Sequence, residues 1–211
     1  MNIKWFGHAC FRLKDRNGTA FTDPFPLDLG YGRPKSKADV VTISHGHPNH
    51  SSLDGFSTNP YVITRPGEYE VSNIFVTAIR AFHDDKKGKE RGYNNVALFE
   101  FDSLSICHLG DLGHVLSQEQ VEKLGQVDVL LVPVGGGGTL NASQAAEVIS
   151  LIEPTIVIPM HYQTPDYAGN LDAVDKFFKE MGITPPEPLS ELKVTRSSLP
   201  EETQIILLNY N

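Results

Sequence analysis

Apolar and polar positions alternate with a two-residue period through most of the first half of the chain. Runs of this kind fall at 3–6, 9–13, 19–22, 40–43, 61–64, 74–81, 96–101 and 104–108, the pattern of strands that turn one face to a core. Turn formers separate them, at Asn17-Gly18, Asp23-Pro24, Asn59-Pro60 and Pro66-Gly67. Asn-Gly between two such runs predicts a tight hairpin. After Leu116 the period lengthens. Ser117 with Gln120 reads as a capping box, and Leu116 with Val121 as its apolar staple, opening a helix that ends near Gly125. An apolar strand is predicted over 127–134. A second helix starts at Leu140-Asn141, its apolar stripe being Ala142, Ala145, Ala146, Ile149 and Ile152, with Pro154 beyond its end. Residues 155–159 read as a strand, and 171–181 as a third helix capped by Asn170 and stopped by Gly182. Segments 192–195 and 203–208 read as closing strands. Strands first, then strand–helix alternation, without a repeat or a linker, predict one layered α/β domain over residues 1–211, helices outside packed sheets.

The histidines add chemistry to this outline. Three of the eight fall within His45-Gly46-His47-Pro48-Asn49-His50, directly after the apolar strand Val40-Val41-Thr42-Ile43. A loop leaving a strand is where a rigid scaffold presents reactive groups. Gly46 suits a tight backbone path, and Pro48 restricts the loop. His83, His108-Leu109-Gly110-Asp111 and His161 also follow predicted strands. Imidazoles with a carboxylate among them suit a borderline divalent ion, and a nitrogen-rich set favours zinc. Asp23 is a candidate to accept a ligand histidine's N–H. His8 is read as an internal hydrogen-bonding residue, and His108 and His114 as outer or surface groups. Cys10 and Cys107 read as small buried hydrophobes. The run Gly135–Gly138 lacks the Gly-Lys-Ser/Thr ending of a phosphate loop and reads as a connection. Lys86, Lys87, Lys89 and Arg91 crowd the segment after His83, where a basic loop could select an anionic substrate.

With these residues in place, the chain resembles the metallo-β-lactamase superfamily. The resemblance runs from Gly7-His8 and Thr22-Asp23-Pro24 to Pro159-Met160-His161-Tyr162. Its signature, His-x-His-x-Asp-His, reads here as His45-Gly46-His47-Pro48-Asn49-His50. Within the superfamily, the chain is similar to small bacterial Zn-dependent hydrolases of the L-ascorbate-6-phosphate lactonase group. The resemblance implies a four-layer αββα sandwich with its metals at one edge. It implies that His45, His47 and His83 hold a first ion, that Asp111 bridges, and that His50 and His161 serve a second. Asn49 stands where the family has an aspartate that binds the second ion and orients the attacking water. A carboxamide is a poorer ligand and cannot accept that proton, though it can still hydrogen-bond a water. Asn49 and Asp111 are thus the catalytic candidates. One tightly bound Zn2+ is expected, with the second ion weaker or absent, and Mn2+ or Fe are the alternatives.

Composition narrows the partners. Eighteen basic against 26 acidic residues give a formal charge of -8, which excludes a broad basic surface for nucleic acid. No apolar run approaches the roughly 18 residues of a membrane span. Met1–Trp5 enters the strand pattern without a secretory leader, and two cysteines make no disulfide framework, so a cytoplasmic protein is expected. The superfamily's nucleases carry a further RNA-gripping domain, for which 211 residues leave no room, so a small-molecule substrate is expected. A homo-oligomer is compatible with the sequence. The resulting expectation is a hydrolase that attacks an ester, lactone or phosphodiester through a metal-activated water. The alternative, resting on Asn49, is a non-catalytic metal-binding or ligand-sensing protein that keeps the fold.

Overall fold

The computed structural model describes residues 1–32, 36–102 and 104–210. The strands of the first half are β1 (Asn2–Trp5), β2 (Phe11–Lys14), β3 (Thr19–Thr22), β4 (Val40–Thr42), β5 (Tyr61–Ile63), β6 (Gly67–Val71), β7 (Ile74–Phe82), β8 (Tyr93–Phe101) and β9 (Leu104–His108). Then follow α1 (Gln118–Leu124), β10 (Val129–Pro133), α2 (Ala142–Ile152), β11 (Ile156–Met160) and α3 (Asp175–Glu180), and finally β12 (Leu192–Lys193) and β13 (Gln204–Ile205). They build two mixed sheets, ordered β12-β1-β2-β3-β4-β5 and β13-β11-β10-β9-β8-β7-β6. In the first, β3, β4 and β5 run parallel; in the second, β9, β10, β11 and β13 do. Parallel strands share one carboxyl edge, and the loops leaving that edge are where α/β sheets place ligands.

Alternation decides which side chains fill the space between the sheets. Ile3, Trp5, Phe11, Leu13, Ala20 and Val40 of the first sheet join Val76, Val96, Phe99 and Ile106 of the second in one buried cluster. The out-of-phase positions Phe21 and Val41 face the other way, into a second cluster with Phe6, Cys10, Phe25 and Tyr31. This outer face of the first sheet is covered by loops and the 3-10 turn at Leu27–Leu29. On the second sheet, α2 packs against β10, and α3 against α2. The result is the expected α/β sandwich.

Local signals at α1 and α2 hold: Ser117/Gln120 and Asn141/Gln144 both close capping boxes. The apolar stripe of α2 is Ala145, Val148, Ile149 and Ile152, so Val148 takes the place read for Ala146. The third helix is shorter than 171–181. Asn170 does not cap it, because the chain just before it is occupied elsewhere. Leu171 N donates to Gln163 Oε1 (3.0 Å), Asp172 N to Gly135 O (2.8 Å), and Gln163 N to Asp172 O (2.9 Å). These tertiary bonds hold the loops after β10 and β11 together and outweigh local helix propensity. Strand β6 is not among the predicted strands although Glu68-Tyr69-Glu70-Val71 alternates; it is a short edge strand that follows the turn former Pro66.

Candidate metal centre

Loops from strand ends of both sheets deliver the polar side chains. Asp23 follows β3, Ser44 to His50 follow β4, His83 follows β7, Asp111 lies beyond β9, His161 follows β11, and His8 sits in the β1–β2 turn. His8, Asp23 and His161 have φ of 52°, 37° and 51°. That region costs a non-glycine residue of order 1–3 kcal/mol and persists only where neighbours over-determine it. They do so here. Trp5 Nε1 and the His161 amide both donate to the His8 carbonyl, at 3.1 and 3.0 Å, and the Asp23 amide donates to Thr42 O at 2.9 Å.

Asp111 is the hub. Its buried carboxylate lies 3.3 Å from Nε2 of both His50 and His161, 3.4 Å from His83 Nε2 and 3.7 Å from His45 Nε2. His47 is exposed and brings Nδ1 to 2.9 Å from His45 Nε2. His45, His47, His83 and Asp111 each offer a donor atom, all within 4.8 Å of one another, and His8, His50 and His161 form a second such group. The six side chains singled out by the family signature are therefore brought together, and His8 joins them.

Outer contacts fix which nitrogen faces inward. Asp23 Oδ2 accepts from His50 Nδ1 at 3.0 Å, Ser44 Oγ lies 2.9 Å from His45 Nδ1, and Gly138 O accepts from His83 Nδ1 at 3.3 Å. Asp23 is itself held by the Ser44 amide (2.7 Å) and hydroxyl (2.5 Å). His45, His50 and His83 thus have Nδ1 engaged and present Nε2 to the centre, the arrangement that orients histidine ligands. Asn94, fully buried on β8, ties the Asp111 loop down: its Oδ1 accepts from Asp111 N at 2.9 Å and its Nδ2 donates to Leu109 O at 2.8 Å.

Charge follows from the packing. Burial pushes His45 down to about 3 and lowers His8, His83 and His108, leaving these rings neutral near pH 7. For His50 burial acts in the same direction, but the carboxylates of Asp111 and Asp23 outweigh it and raise the ring to about 10. Burial would raise Asp111, yet His161 and His50 hold it well below the usual carboxylate range. Its Oδ1, with His50 Nε2 and His83 Nε2, is buried without a hydrogen-bond partner. Buried polar atoms are normally paired. A divalent cation would satisfy these inward atoms, displacing the proton that Asp111 and Asp23 hold on His50, and this donor set fits a borderline ion.

The other predicted residues fall into place around the centre. Asn49 is half-buried, and its Nδ2 donates to His8 Nε2 at 2.9 Å. His108 is buried outside the cluster and donates to Ala9 O at 2.9 Å, bridging the sheets. His114 accepts from Phe82 N at 3.2 Å and donates to Val115 O at 2.7 Å, bracing the end of β7. Gly46 has open space about it and an ordinary φ, so the tight path proposed for it is not what the loop uses. The glycine run is more than a connection. A Cβ on Gly135 would lie 2.2 Å from His161 O, and one on Gly138, at φ +107°, 2.2 Å from the Arg91 guanidinium carbon. Asp84 folds the basic segment: its carboxylate accepts from the amides of Lys86, Gly88, Glu90 and Arg91 at 2.7–3.0 Å. A polar cavity of about 290 Å³, lined by Arg91, Thr139 and Gln144 but also by Asp84, Asp85 and Glu90, opens beside His83. A larger open groove, about 1040 Å³, is lined by Arg16, Asp102, Asp128 and Arg196 among others and contains none of the histidines. Sequence reasoning passed over Ser44, Asn94 and Tyr167, whose ring stacks on His8 at 5.1 Å. Polar residues directly before or opposite a histidine loop are the signal that would have found the first two.

Comparison with known proteins adds ancestry to this geometry. Residues 2–161 match the family model described as "Beta-lactamase superfamily domain". A UPF0173 protein of Pyrococcus furiosus is 33% identical over 184 residues, 78% of this chain and 84% of the relative. A UPF0173 metal-dependent hydrolase of Thermoplasma acidophilum is 29% identical over 191 residues, 79% and 85% of the two chains. Among solved structures, a Thermotoga maritima protein assigned to the Zn-dependent hydrolases of the metallo-β-lactamase superfamily is 38% identical. It covers 100% of this chain and 99% of its own, with a TM-score of 0.83. Among the described residues, no helix is long and apolar enough to cross a membrane.

Proposed function

Because the chain belongs to the β-lactamase superfamily, in its UPF0173 branch, and is a metal-dependent hydrolase, we propose that it cleaves a small anionic ester, lactone or phosphodiester with zinc as its ion. The observation that carries this reading is the convergence of four imidazoles on the single buried carboxylate of Asp111. In this reading His45, His47 and His83 would hold the first ion, His50 and His161 would serve a second, weaker site, and the Asp111 carboxylate would serve both. A bound divalent ion would supply Lewis acidity and lower the pKa of a coordinated water to about 7.

The chain's own residues supply the rest. Ser44, Asp23 and the Gly138 carbonyl fix three rings, so that little reorganisation accompanies the reaction. Asn49 has the amide nitrogen of its carboxamide on His8; its Oδ1 is an acceptor suited to a hydrogen bond from the reacting water. Arg91, exposed with its guanidinium over Gly138, whose carbonyl meets His83, is the cation placed to receive an anionic substituent on the His83 side, although Asp84, Asp85 and Glu90 line the cavity there.

The test is metal analysis of the purified protein, followed by chromogenic esters, lactones and phosphodiesters, each in neutral and anionic form. Zinc content that disappears in the His45→Ala, His47→Ala double variant, with turnover above that of free zinc, is expected. Arg91→Ala should raise KM for the anionic members about tenfold while leaving the neutral ones near the parent value. Bound metal with no turnover across the panel would favour the binding-only alternative that Asn49 raised.

A further inference from the structure

We infer that His8, and not Asn49, is the side chain that replaces the family aspartate at the second ion. This rests on the reading of the site as a two-ion centre. Asn49 occupies the aspartate's place in the sequence, but a carboxamide brings neither charge nor a strong donor atom. Next to it lies a neutral imidazole that brings a good one. His8 falls with His50 and His161 in a group whose donor atoms all lie within 4.8 Å. Its ring is 4.3 Å from that of His161 and 4.6 Å from that of His50, centroid to centroid, and it is 1% exposed.

Two features mark this placement as built. The first is the backbone. His8 is held at φ +52°, where Asn or Gly would be at ease, and its carbonyl is clamped by Trp5 of its own sheet and by the amide of His161 from the other. The clamp joins the two ring-bearing residues directly. The second is the hydrogen bond to Asn49. Its Nδ2 donates to His8 Nε2, so the lone pair at that nitrogen meets a partial positive charge 2.9 Å away. A cation in the second site would compete with the carboxamide for that lone pair. Asn49 is then a positioning residue of the ion-free site: its amide holds the His8 ring through Nε2 within reach of His50 and His161. The sequence departure that weakens one ligand is thereby offset by another, carried 41 residues upstream.

Cobalt(II) titration of the metal-free protein, read by calorimetry and visible absorption, tests this. The parent should take up two equivalents, one tight and one weaker. His8→Asn, which tolerates the left-handed backbone, should weaken the second equivalent about tenfold or more and leave the first unchanged. His8→Asn with Asn49→Asp should regain the second equivalent, because a carboxylate at 49 makes His8 dispensable. Long-range proton–nitrogen spectra of the unaltered protein should show a His8 ring nitrogen shifting with the second equivalent of zinc, a readout that needs no variant to fold. Parent-like binding of both ions by His8→Asn would overturn the inference. So would zinc spectra in which His50 and His161 respond and His8 does not. A parent protein that binds no ion, or an ion indifferent to loss of His45 and His47, would instead overturn the two-ion reading beneath it.

Discussion

Removing Asn94 should loosen the centre without touching a candidate ligand. Its side chain is fully buried and makes two hydrogen bonds to the backbone on either side of Gly110, one to Leu109 O and one from Asp111 N. Asn94→Ala strands both. A buried backbone group left unpaired costs about 1–3 kcal/mol, so the two together predict a loss of about 2–6 kcal/mol, a large part of the stability of an ordinary domain. The same change frees the amide that holds Asp111 in register with four imidazoles, and loss of such an orienting contact weakens metal about 10–100-fold. Urea unfolding of the metal-free protein measures the first effect, and competitive titration against a chromophoric chelator the second. Asn94→Asp sharpens the comparison, since it keeps the acceptor for Asp111 N but loses the donor to Leu109 O and adds a charge. It should be no better than alanine. Stability within about 0.5 kcal/mol of the parent, the range of a neutral surface change, would refute the reasoning. So would a large destabilisation with unchanged metal affinity.

Three further outcomes follow from the packing. A Cβ on Gly113 would lie 2.5 Å from both Asp84 N and His83 C, so Gly113→Ala should cost about 1–3 kcal/mol in a thermal or urea melt and reduce metal affinity through His83; a parent-like melt would show that the backbone yields freely. Cys10 and Cys107 are buried with their thiols pushed up, mainly by burial. Both should therefore resist a thiol reagent at pH 8 until denaturant is added, and rapid labelling of the native protein would contradict that. Asp84→Ala removes the acceptor for four amides of the loop carrying Lys86, Lys87, Lys89 and Arg91. Limited trypsin digestion should cut there in the variant and spare the parent, and equal cutting would mean the carboxylate does not order the loop.

Much of the site was legible because its signal is local. His45, His47 and His50 lie within six residues, and the strand before them has an unmistakable apolar run. His83, Asp111 and His161 could be placed because each stands just past a predicted strand. The capping box at Ser117 was legible for the same reason, its partner Gln120 being three residues away, as was the helix start at Asn141. What escaped depends on contacts between distant segments. Asn94 reaches Asp111 across a strand pair, and His8 meets His161 from the opposite sheet. The third helix lost its first turn to bonds with Gly135 and Gln163 that no helical period announces. Gly46 was credited with a conformational role that belongs instead to the run from Gly135 to Gly138.

The candidate ligands divide by when they can meet. His45, His47 and His50 are neighbours along the chain and need only a short loop closure, while His83, Asp111 and His161 join them only after the two sheets have docked. Non-local pairings of that kind form slowly. An ion present during synthesis could thus be caught first by the local triplet, at low affinity, and handed its remaining ligands as the sheets close. Affinity would then climb along the folding route, and the ion would bias the chain toward the docked arrangement by mass action. The histidine loop would serve a nascent chain as a primer for assembly before it serves the finished protein as half of a site.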